Sequence, residues 1–92
     1  MKDYLEEVTK SLHRHYGKEV ELFHSTRKDK KFMVITPDGK VIHFGATNFP
    51  DFYLDQTNKR YERRQRFLKR NARWAEAEKW SPAHLSYYVL WN

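Results

Sequence analysis

The 92 residues include no cysteine, which excludes a disulfide framework and any thiolate metal site. Glycine and proline number three each, and every glycine falls where a turn or helix stop is expected, so no Gly-rich phosphate loop is present. No apolar run approaches the roughly 20 residues that span a bilayer. Asp3, Glu6 and Glu7 stand where a signal peptide needs apolar residues, and the chain reads as intracellular. Leu, Ile and Val are sparse, and a third of the residues are charged. Aromatics nevertheless make up 16%, which argues against disorder and for a small core of few, large side chains. The length suits one domain, residues 1–92.

The expected fold class is α+β. Tyr4, Leu5, Val8, Leu12 and Tyr16 recur at helical spacing, with Asp3 and Glu6 at the offset of a capping box and Gly17 as a stop. Residues 20–23 suggest a short strand. Pro37-Asp38-Gly39 separates two arms rich in β-branched and aromatic residues, predicting a hairpin over 31–44 with Gly45 closing it. Residues 46–58 read as an irregular connection containing Pro50, whose Phe49, Phe52 and Tyr53 are expected in the core. A long basic helix is predicted over 58–79. Ser81-Pro82 then opens a short C-terminal helix, 82–90.

The net charge of +6 has a location. Residues 56–92 carry nine basic and three acidic side chains, whereas the preceding segments are balanced. On a helical wheel Tyr61, Leu68, Ala72 and Ala75 form an apolar stripe. Lys59, Arg63, Arg66, Arg70 and Arg73 align on the opposite side, with Lys69 beside them, over roughly 20 Å. Arg60 and Arg64 flank the apolar stripe, and Glu62 interrupts the basic row. Such a row is either a rail for a polyanion or a solvated face. A nearly pure arginine row repels itself along the helix, which favours an anionic partner, either nucleic acid or an acidic protein surface. Lys28, Lys30 and Lys31 read first as an ordinary polar turn that could extend the basic surface. Trp74, Trp80, Tyr87, Tyr88 and Trp91 could stack on unpaired bases, but in a chain short of aliphatics they read first as core. Trp74 falls off the apolar stripe near Phe67, making this pair a candidate second packing surface or protein contact.

Little points to catalysis. His13 and His15 are two apart and diverge on a helix, and His24, His43 and His84 complete no four-ligand set, so no metal site is expected. Glu76, Glu78 and Lys79 lack the spacing and the strand that a metal-dependent nuclease would need. Neither a cofactor nor a small-molecule substrate is implied, and the expectation is a non-enzyme.

One stretch is distinctive: Lys30-Lys31-Phe32-Met33-Val34, Gly39-Lys40-Val41-Ile42-His43-Phe44-Gly45, Asp51-Phe52, the arginines from Arg60 to Arg73, and Leu90-Trp91-Asn92. Across residues 25–92 it resembles a family of small, uncharacterised proteins encoded by bacteriophages and large DNA viruses. Arg70-Asn71 stands where that family often has Arg-His, so no imidazole role is implied there. The resemblance brings no activity. It implies a viral origin, in host cytoplasm or virion, and either a DNA-associated accessory protein or a minor virion component. An inhibitor that docks on an acidic viral or host protein is equally compatible with the size and charge.

Overall fold

A computed structural model describes residues 3–49, 51–54 and 57–91, and it has the α+β architecture. Helix α1, Tyr4–Tyr16, begins where the Asp3 carboxylate accepts the Leu5 amide at 3.0 Å. It ends at Gly17, whose amide bonds the His13 carbonyl at a positive φ of 105°. Its apolar stripe buries Val8, Leu12 and Tyr16.

The sheet is antiparallel in the order β1-β2-β3, with β1 Leu22–His24, β2 Lys30–Ile35 and β3 Val41–Ala46. Phe32 faces Phe44 and Val34 faces Ile42 across the hairpin, and Phe32, Val34 and Phe44 join Val8 and Leu12 in the core. In the turn, the Gly39 amide donates to the Thr36 carbonyl and the Thr36 amide to that of Lys40. The Thr36 hydroxyl donates to the Asp38 carboxylate, holding it below the usual carboxylate range. The first strand lies later than 20–23. Val20 is instead buried in the approach to the sheet, where its carbonyl accepts from His13 Nε2 at 2.8 Å. The second hairpin arm also continues through Gly45 to Ala46.

The connection after β3 divides its aromatics. Phe52 and Tyr53 are buried as expected, whereas Phe49 is 68% exposed, contrary to its expected place in the core. The chain doubles back between Ala46 and Phe49, with an amide-to-carbonyl bond of 3.3 Å, and turns the ring outward. Pro50 lies outside the described residues.

The predicted helix 58–79 is broken in two. Helix α2 spans Arg60–Arg70, and a 3₁₀ turn follows at Ala72–Glu76. The α-helix ends at Asn71, whose backbone and side-chain amides both donate to the Phe67 carbonyl, at 2.9 and 3.2 Å. The ladder then tightens as the Trp74 amide bonds the Asn71 carbonyl at 2.8 Å. The buried face also differs from the expected stripe. Tyr61 is 52% exposed and Ala72 is exposed, and Phe67 turns inward. Leu68 and Ala75 are half-buried as expected, with Arg60 and Arg64 half-buried beside them. Both of these arginines sit 4.8 Å over the Phe52 ring, which fixes the rotation of the helix.

Helix α3 is only Pro82–Leu85, capped by Ser81 Oγ accepting the His84 amide at 3.2 Å. The expected helix 82–90 continues instead as a π-helical segment, Ser86–Trp91. Its wider turn lets Val89, Leu90 and Trp91 all be buried in succession. Ser11 Oγ donates to the Val89 carbonyl at 2.7 Å, so α1 satisfies a backbone acceptor that the helix end leaves open. Trp91 is thus a core residue, and Asn92 lies outside the described residues.

Candidate functional site

The arginine row of α2 meets the sheet across a groove of about 670 Å³. Its helical wall carries Arg63, Arg66 and Arg70, which recur at spacings of three and four and therefore share one stripe, with Phe67 between them. Trp74 extends this wall from the 3₁₀ turn. The sheet wall is built from Lys30 and Lys31 at the start of β2, Gly45 and Ala46 at the end of β3, and Phe49 beyond it. Leu90 and Trp91 supply the apolar floor.

Two contacts set the groove's shape. Phe67 stacks on Trp91 with centroids 4.7 Å apart and 12° between planes, and it meets Trp74 edge-on at 5.7 Å. The first contact holds α2 against the C-terminal segment, and the second holds it against the 3₁₀ turn. Across the groove, Gly45 has φ 80°, and a side chain there would come within 2.9 Å of Leu90 Cδ1. Glycine permits both the backbone conformation and this close approach.

Asp51 anchors the sheet wall. It is 1% exposed, and one carboxylate oxygen accepts from Tyr4 Oη at 2.5 Å and Lys31 Nζ at 2.8 Å. The other accepts the amides of Tyr53 and Leu54 at 2.9 and 3.0 Å. Burial, with the Asp51 carboxylate beside it, pushes the Tyr4 hydroxyl well above its ordinary pKa and keeps it a donor. Lys31 Nζ also donates to the Phe49 carbonyl at 2.6 Å, so a buried ion pair positions the Phe49 backbone. Because Asp51 is matched by Lys31, the groove's remaining formal charge comes from Lys30, Arg63, Arg66 and Arg70, all positive.

The six basic positions expected to act together are separated. Arg63, Arg66 and Arg70 line the groove. Lys59 is the exposed residue preceding α2, Lys69 is exposed outside the groove, and Arg73 leaves the row because the 3₁₀ turn changes the helical phase. Arg66 makes one exposed contact, 3.8 Å from Glu62, of a kind worth little in water. Phe67 and Trp74 do form a pair, but within the fold. Lys30, Lys31, Phe49 and Asp51 were not singled out together by sequence reasoning. Lys30 and Lys31, expected first in a polar turn, instead open β2, and both reach the groove.

Two of the histidines serve local structure. His43 Nδ1 pairs with Ser25 Oγ at 2.7 Å, and the Tyr16 hydroxyl bonds His84 Nδ1. Among the described residues no three His, Asp or Glu side chains converge as metal ligands, and no helix is long and apolar enough to cross a membrane.

Fold and site together define a small α+β protein with a cationic, aromatic-lined groove between a helix and a hairpin. The chain belongs to the Family of unknown function (DUF5754), whose pattern matches residues 20–71. That span holds the whole sheet, Phe49, Asp51 and all of α2, but not α1, Trp74 or the C-terminal segment. No curated protein and no solved structure matches the chain.

Proposed function

We propose that this protein binds the nucleic-acid backbone without catalysing a reaction, as a viral accessory protein acting in the host cytoplasm or the virion. The observation that carries the reading is the convergence of Arg63, Arg66 and Arg70 on one groove with Lys30 on the facing wall. Guanidinium groups suit phosphate because their planar fork bonds two oxygens at once. Fixing three of them along one stripe also costs the free protein helix stability through like-charge repulsion, which an anionic ligand relieves. The viral assignment rests on the sequence resemblance alone.

Docking on an acidic protein surface has less support. Of the two apolar anchors it would use, Phe67 is taken up by stacking on Trp91, which leaves only Trp74 as an anchor on the groove wall.

The reading is tested with a labelled oligonucleotide titrated across salt. Four cationic contacts predict a log–log slope of about −3 to −4, from counterion release. Replacing Arg66→Glu and Arg70→Glu together should abolish binding while the far-UV spectrum stays unchanged. Binding that survives this double replacement contradicts the reading.

A further inference from the structure

We infer that the groove selects single-stranded over double-stranded nucleic acid, with an unpaired base stacked against Phe49 and Trp74 and its flanking phosphates on Arg63, Arg66 and Arg70. The inference rests on the nucleic-acid reading above and adds the form of the ligand.

Phe49 is the first reason. Among the described large apolar side chains its ring is the most exposed, at 68%, yet its backbone is held. Its amide bonds the Ala46 carbonyl, and its own carbonyl accepts from Lys31, which Asp51 fixes in turn. A ring displayed on an anchored backbone loses little conformational freedom when a flat ligand covers it.

The second reason is the pairing of aromatic and cationic walls. Grooves that bind single strands combine positive charge along the backbone with rings on which bases stack. Here Phe49 contributes from the sheet wall and Trp74 from the helical wall, and Arg63, Arg66 and Arg70 line the same groove. A duplex can offer its phosphates to the arginines, but its bases are already stacked on one another. Only an unpaired strand uses both walls. The volume of about 670 Å³ lies within the range of pockets that enclose small ligands, which suits a nucleotide or two and not a duplex.

Anisotropy titrations at one salt concentration, using a single strand, its duplex and an abasic strand of equal length, test this. DNA and RNA versions of the single strand identify which of the two sources the groove prefers. The intact single strand is expected to bind about tenfold or more tightly than either the duplex or the abasic strand. Phe49→Ala should weaken single-strand binding about tenfold and leave duplex binding unchanged. Equal affinity for strand and duplex, or indifference to both base removal and Phe49→Ala, overturns the inference. If such binding is still salt-dependent and lost on Arg66→Glu with Arg70→Glu, only strand selectivity fails. If no nucleic acid binds at low salt, the underlying reading fails with it.

Discussion

Asp51 is where a single side chain does most to shape this protein. Its carboxylate is buried and takes four donors, from α1, from β2 and from its own turn. Burying a charge is tolerable only when it is paired and fully hydrogen-bonded, and removing one partner leaves the rest stranded. Asp51→Ala strands the Lys31 ammonium, which is 11% exposed, together with the Tyr4 hydroxyl and two amides. The expected loss is about 3 kcal/mol in urea denaturation. A loss below about 0.5 kcal/mol would contradict this account of the groove's anchor. The sequence marked Asp51 only as half of an Asp-Phe pair. Its importance depends on Tyr4 and Lys31, which lie 47 and 20 residues away, and local pattern carries no such information.

Among the elements, local signals that need no distant partner were legible, and those that yield to tertiary packing were not. The Asp3 cap, the Gly17 stop and the Pro37-Asp38-Gly39 turn all act over a few residues, and each forms where expected. The basic helix was overextended because periodicity does not register the tightening into a 3₁₀ turn after Asn71. Its buried face was misjudged at Tyr61 and Ala72, which are exposed. The π-helical ending has no simple sequence signature. It reflects the demand that three consecutive apolar residues be covered at once.

The junction of α1 with α3 gives a pH prediction. Burial first, and then the Lys79 charge, lowers the His84 pKa below its ordinary value. Tyr16 and Tyr88 also face the ring, and burial raises the Tyr16 hydroxyl, leaving it a donor to His84 Nδ1. The folded state therefore binds a proton at His84 less readily than the unfolded chain. This contribution is complete above the unfolded-state pKa of about 6.5, and it declines as pH falls from there towards the lower folded value. Denaturation midpoints followed from neutral pH downward should show such a decline, reduced in His84→Gln. An identical pH profile for the two proteins would contradict the assignment.

At the scale of the whole molecule, the sequence located the charge correctly in the last third but not its geometry. A straight helix would have offered one continuous rail of five cations. The broken helix instead gathers three arginines at a groove and brings Lys30 to them from the hairpin, while Lys59, Lys69 and Arg73 lie elsewhere. Charge count is a property of composition, whereas convergence requires the fold. The most direct test of the central claim is the salt dependence of oligonucleotide binding by the unaltered protein and by Arg70→Gln. If the groove arginines contact phosphates, removing one should lower the magnitude of the log–log slope by about 0.7 for a single strand or about 0.9 for a duplex. An unchanged slope would mean that phosphate binding, if present, takes place away from this groove.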